Sequence, residues 1–150
     1  MKIAVSTDER THLVDVILDE LKRRGHDTLY FGPDPGKETV DWPDVTLEAV
    51  SRVANRSVEE AIVMCWTGTG CSIAANKVPG IRAALCHDAE TAKGARIWNH
   101  ANVLALSLRA TPEAVLKEIL DSWFDTPYSD DDWNLKQLKK LSDLDNKYMH

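Results

Sequence analysis

The chain is expected to fold as an α/β domain, with a five-stranded parallel sheet between two layers of helices and one further helix at its C-terminal end. Three observations carry that expectation. Apolar runs of strand length recur at residues 2–6, 27–31, 61–64, 83–86 and 103–106. Segments with apolar residues at helical spacing separate most of them. The run at 61–64, Ala-Ile-Val-Met, is nearly continuous, as a strand buried on both faces requires. Strands alternating with helices imply right-handed crossovers and a parallel sheet covered on both sides, a Rossmann-like three-layer sandwich.

The elements follow in order. Residues 2–6 end in polar positions, and Leu13, Val16, Ile17, Leu18 and Leu21 then mark a helix that stops before Gly25. After the strand at 27–31, Gly32-Pro33-Asp34-Pro35-Gly36 is a strong loop signal, and the irregular stretch is expected to run on to Pro43. Val45, Leu47, Ala49, Val50 and Val53 predict a second helix, so that the strand at 61–64 places Cys65 at its carboxyl end. Further helices are expected over 89–97 and 112–123, the latter with Thr111 as its cap and Pro112 in its first position. The tail from Ser129 opens with Asp130-Asp131-Asp132 and becomes an amphipathic helix bearing Leu135, Leu138, Leu141 and Leu144. Such a helix needs a surface to pack on, either its own domain or a second subunit.

Composition narrows the function. A chain of 150 residues fits one domain, 1–150, with one core. Its longest apolar runs fall well short of the roughly 20 residues of a membrane span, and no cleavable signal precedes the first strand, so a cytoplasmic protein with no membrane partner is expected. Three cysteines without metal-ligand spacing argue against a disulfide framework and a structural metal. A net charge of −6 without a basic block argues against nucleic acid. A small anion remains possible, because a local pocket can be positive on an acidic protein.

The chemistry concentrates in Cys65-Trp66-Thr67-Gly68-Thr69-Gly70-Cys71-Ser72, where a buried strand feeds a thiol into a glycine turn and then a helix. Glycines free the backbone to turn and present N–H groups, and the helix adds its positive end. A thiol there ionises more easily, and a thiolate can act as a base or nucleophile. The plainer reading is an ordinary turn that ends a buried strand. Asp8, Asp41, His87 and Ser107 also fall at predicted strand ends, where ligands of parallel sheets bind.

The string Cys-x-Thr-Gly-x-Gly-x-Ser-Ile-Ala-Ala-Asn-Lys at 65–77, followed by Pro79-Gly80-Ile81-Arg82-Ala83-Ala84-Leu85-Cys86, closely resembles the central segment of the ribose-5-phosphate isomerase B and galactose-6-phosphate isomerase family. Weaker matches are Met1-Lys2-Ile3-Ala4, Asp8, Asp41-Trp42-Pro43-Asp44, Asn99 and Asn102-Val103-Leu104-Ala105, with the register holding to about Tyr128. The resemblance implies a cofactor-independent intramolecular oxidoreductase, an aldose-ketose isomerase acting on a sugar phosphate through an enediolate. Cys65 is then the acid/base, Thr67 a relay, and the backbone of Gly68, Thr69, Gly70 and Ser72 the anion hole, with Trp66 inside the loop. The family's tail reaches a second subunit, which implies a homodimer or dimer of dimers, with residues 129–150 exchanged across it. One branch of the family carries glutamate where this chain has Cys71; with Cys65 present, Cys71 reads as a small buried residue, and Cys86 as core.

The departures bear on the substrate. Trp98 stands where the family has its ring-opening histidine, and His100, two residues on, is the candidate replacement. Glu9 stands where a histidine helps hold phosphate. That leaves Arg10 and Arg109 as phosphate ligands, while Lys136, Lys139 and Lys140 read as solvated. Trp42 replaces a tyrosine. Together these suggest a substrate other than ribose 5-phosphate, such as an open-chain tetrose phosphate or an unusual sugar. A binding protein of the same fold without turnover is the competing class, against which the retained Cys65 and Thr67 count.

Overall fold

The computed structural model describes residues 1–148. Strands β1 (Lys2–Thr7), β2 (Asp27–Phe31), β3 (Glu60–Cys65), β4 (Ala83–Leu85) and β5 (Val103–Ser107) form one parallel sheet in the order β2-β1-β3-β5-β4. The helices are α1 (His12–Arg23), α2 (Trp42–Ala54), α3 (Thr69–Ala75), α4 (Ala89–Asn99), α5 (Glu113–Asp125) and α6 (Asp132–Tyr148). From β1 the chain moves outward to β2, then crosses back over β1 to β3. The order in which strands are added therefore reverses between β1 and β3, the place where parallel sheets open a crevice at their carboxyl ends.

Side-chain size sets how closely each helical layer approaches. On one face Ile3, Val5, Ile62, Met64, Leu104 and Leu106 pack against α1, α4 and α5. On the other, Ala4, Ala61 and Ala105 with Val63 and Val103 let α2 and α3 lie close to the sheet. Cys65 belongs to this second face, so the strand's alternation points it toward α3.

Several expected boundaries shift: α4 runs on to Asn99 and α5 to Asp125. The loop ends at Asp41, because Trp42 and Pro43 already belong to the first turn of α2, where proline's missing N–H costs nothing. Thr111 does not cap α5. Pro112 is the N-cap, Glu113 the first helical residue, and the Thr111 hydroxyl is buried without a partner. Cys86 is fully buried, as expected.

A buried ion pair closes the amino end of the sheet. Glu60 of β3 accepts from Arg96 at 2.8 Å and from the Trp123 indole N–H at 2.7 Å. The Arg96 guanidinium lies over the Trp123 ring at 4.7 Å and the Tyr128 ring at 4.5 Å. Buried charges persist only when paired and hydrogen-bonded in this way. Sequence reasoning did not single out this cluster.

No helix among the described residues is long and apolar enough to cross a membrane. Helix α6 leans on the loop before β4, where Asp145 accepts from the Gly80 N–H at 2.8 Å, and leaves a groove of about 800 Å³ beneath it.

Candidate active site

β3 delivers Cys65 to the crevice beside β1, and the next residues are clamped to β5. The Leu108 N–H donates to the Cys65 carbonyl, and the Arg109 N–H and Ser107 hydroxyl donate to the Trp66 carbonyl, all at 3.0 Å. The loop then turns at Gly68, the N-cap of α3, with φ of 77°. A Cβ there would stand 2.6 Å from Leu85 Cδ1 and 2.9 Å from the Leu106 backbone, so only glycine fits. At Gly70 a Cβ would meet the Trp42 indole at 3.2 Å, which shows that this ring lies flat against the loop.

Cys65 is 5% exposed. The Cys71 backbone N–H points at its sulfur at 3.5 Å, and the Cys71 thiol donates to the Gly68 carbonyl at 3.3 Å. The adjacent Cys71 side chain lowers the Cys65 pKa against the cost of burial, and the N–H groups of Cys71 and Gly68 lower it further, to about 6. Cys65 is therefore mostly thiolate at neutral pH. The partner thiol moves the other way. The neighbouring Cys65 sulfur with its charge, and burial, push Cys71 far above the thiol range, so it keeps its proton.

Asp8 follows β1, the strand paired with β3. Burial raises its carboxyl above the ordinary carboxylate range, its Oδ1 is buried without a partner, and its charge opposes the Cys65 thiolate. The Val40 N–H donates to the Asp8 carbonyl at 3.0 Å, which brings the end of the long loop, and with it Asp41 and Trp42, to this crevice. Thr67 and Thr69 share a hydrogen bond between their hydroxyls at 2.7 Å and face solvent with Trp66, while Ser72 lies half-buried in α3. The Ser72 N–H is taken by the Gly68 carbonyl at 3.2 Å. Among the described residues the N–H groups of Thr69 and Gly70 take no acceptor outside the helix, so the N–H groups of the turn divide between the thiolate and the open crevice.

The two arginines differ. Arg10 is held by both Nε and Nη2 on Asp15 Oδ1, at 2.9 and 2.7 Å, and lies 4.7 Å over the Tyr30 ring. Arg109 is exposed just beyond β5 and has no ion-pair partner among the described residues. Asp15 and Tyr30 were not anticipated, since no local pattern announces a partner on another element. His87 is exposed after β4, next to Asp88, which caps α4 by accepting from Thr91 at 2.7 Å.

Trp98, Asn99 and His100 do not meet Cys65 within the chain. They end α4, which carries them to the amino edge of the sheet, where the Asn102 carbonyl accepts from the Ala61 N–H. Cys65 pairs with Ser107, four residues further along both strands, about 13 Å away at strand rise. His100 sits in the left-handed conformation, stacks on Tyr128 at 4.4 Å, and places Nε2 2.8 Å from the Ser129 carbonyl. His100 and Asn99 line the groove under α6 with Leu135, Leu138, Leu141 and Leu144, and Trp98 is 59% exposed. No three His, Cys, Asp or Glu side chains among the described residues gather into a metal-holding cluster.

Comparison with known proteins identifies the family and the fold. The family model described as Ribose/Galactose Isomerase matches residues 3–141. The ribose-5-phosphate isomerase B structure of Clostridium thermocellum superposes with a TM-score of 0.92 at 37% identity, covering 99% of each chain. The D-erythrulose-4-phosphate isomerase of Pectobacterium atrosepticum is 36% identical over 85% of each chain. The Listeria innocua protein named ribose-5-P isomerase B is 32% identical, covering 86% of this chain and 87% of its own. With the sheet order, the glycine turn and the thiol at the end of β3 in place, the chain belongs to the ribose/galactose isomerase family.

Proposed function

We propose that the protein interconverts an aldose phosphate and its ketose by proton transfer through an enediolate, with Cys65 as the acid/base. The observation that carries this reading is the Cys65 sulfur at the carboxyl end of β3, which takes the Cys71 N–H at 3.5 Å and whose pKa the surrounding turn lowers to about 6. The thiolate removes the proton from the hydroxyl-bearing carbon next to the carbonyl. The C–H electron pair becomes the C=C bond, and the carbonyl pair moves onto oxygen. The N–H groups of Thr69 and Gly70 receive that oxyanion, which is the largest stabilisation such a site offers. Cys65 then returns its proton to the neighbouring carbon. A hydroxyl proton passes between the two oxygens, relayed by the Thr67–Thr69 pair, with the unpartnered Asp8 carboxyl as a buried acceptor. Arg109 holds the phosphate, and Arg10 joins it by turning part of its guanidinium from Asp15.

The substrate is an open-chain sugar phosphate, with four carbons as the first choice. Trp98 cannot move a ring-opening proton, and a relative named D-erythrulose-4-phosphate isomerase supports the shorter chain. Trp98, Asn99 and His100 reach a crevice only if a second copy presents them. A homodimer does this when it covers the half-exposed leucines of α6. The test compares kcat/KM for tetrose and pentose phosphates. A preference for the tetrose supports the reading, and a clear preference for ribose 5-phosphate overturns the argument from Trp98.

A further inference from the structure

We propose that Cys71 is a positioning residue for Cys65, its thiol fixing the turn so that the first turn of α3 delivers a backbone N–H onto the Cys65 sulfur. The inference rests on the reading of Cys65 as the acid/base. A helix usually satisfies its third N–H with the side chain of its N-cap residue. The N-cap of α3 is Gly68, which has no side chain, and α3 has no side-chain cap. The N–H in question is that of Cys71, and it turns to Cys65 Sγ at 3.5 Å. The catalytic sulfur thus stands in for the missing cap. What holds the turn in this shape is the Cys71 side chain itself. Its S–H reaches back to the Gly68 carbonyl at 3.3 Å, the same oxygen that accepts the Ser72 N–H at 3.2 Å. Cys71 is fully buried, so water does not compete for these bonds. An apolar side chain would fill the space but supply no donor.

The experiment titrates thiolate absorbance at 240 nm in the unaltered protein and in Cys71→Ala, Cys71→Val and Cys71→Ser. Below pH 9 the signal belongs to Cys65, because Cys86 is pushed by burial up to about 12 and Cys71 higher still. Cys65→Ala, which should show no transition there, is the control. Alanine is smaller and valine larger than cysteine, so a change common to both comes from the lost donor and not from volume; if one fails to fold, the other carries the comparison. The midpoint should start near 6. It should rise by about one unit in both donorless variants, the scale of one hydrogen bond to an ionised group, and stay low in Cys71→Ser, which keeps a donor. Where turnover is measured, the acid limb of kcat/KM should move with it while KM holds. An unchanged midpoint in Cys71→Ala and Cys71→Val overturns the proposal. So does a rise in Cys71→Ser equal to theirs. The titration uses no substrate, so a failure of the isomerase reading would show separately, as absent turnover with the thiolate shift intact.

Discussion

Gly68→Ala separates the conformational demand of the turn after β3 from its steric demand, because the chain contains its own control. Gly25 has nearly the same backbone, φ of 83° against 77°, but a Cβ there would meet nothing within 4 Å. Placing alanine in the left-handed region costs about 1–2 kcal/mol. A stiffer unfolded chain offsets about 0.4–1 kcal/mol of that. Gly25→Ala should therefore destabilise by about 1.6 kcal/mol at most. At Gly68 the new methyl also lies 2.6 Å from Leu85 Cδ1 and 2.9 Å from backbone carbon of Leu106. The leucine can rotate, but the strand cannot, so overpacking adds about 1–3 kcal/mol. The total is about 1–5 kcal/mol, read as a lower midpoint in urea unfolding with unchanged slope. The loop should relieve the clash by moving outward, which withdraws the Gly68 N–H from Cys65, so folded Gly68→Ala should also lose activity while Gly25→Ala keeps it. Equal unfolding midpoints for the two variants would refute the packing argument.

Other outcomes follow from the same geometry. Cys65→Ala should lower kcat by about 10²–10⁴ with the fold intact, the usual worth of a positioned acid/base. In the unaltered protein kcat/KM should rise with pH through about 6 and then level, since the thiolate is the active form; circular dichroism and initial rates check both, and a profile flat from pH 5 to 8 would exclude this base. Arg109→Ala should raise KM for the phosphorylated substrate about tenfold or more while affecting a free sugar little, as loss of a charge-assisted contact predicts. Deleting residues from Asp130 onward should weaken both association and activity, by sedimentation and by rate, and a fully active monomer at micromolar concentration would rule out the shared site.

Much of this was legible in the sequence because the signals were local. The continuous run before Cys65 fixed a buried strand, and the two glycines after it marked the turn. Boundaries slipped where a proline decided them: Pro43 belongs inside α2, and Pro112 itself caps α5 in place of Thr111. What stayed hidden depends on long-range geometry. The Asp15 and Tyr30 partners of Arg10, and the Glu60, Arg96 and Trp123 cluster, join elements far apart in sequence. The separation of His100 from Cys65 follows from α4, whose 11 residues span about 16 Å and return the chain to the amino edge of the sheet. A motif match brings these residues together on paper, whereas within one chain the crossover helix keeps them apart.

The central claim is that Cys65 transfers a proton on carbon, and isotope exchange tests it most directly. Tetrose and pentose phosphates, with their free sugars, are incubated with the protein in deuterated water and followed by NMR at C1 and C2. The account predicts deuterium incorporation with a phosphorylated substrate, dependent on protein and absent with Cys65→Ala. Substrate bound tightly without exchange, or exchange undiminished in Cys65→Ala, would contradict it.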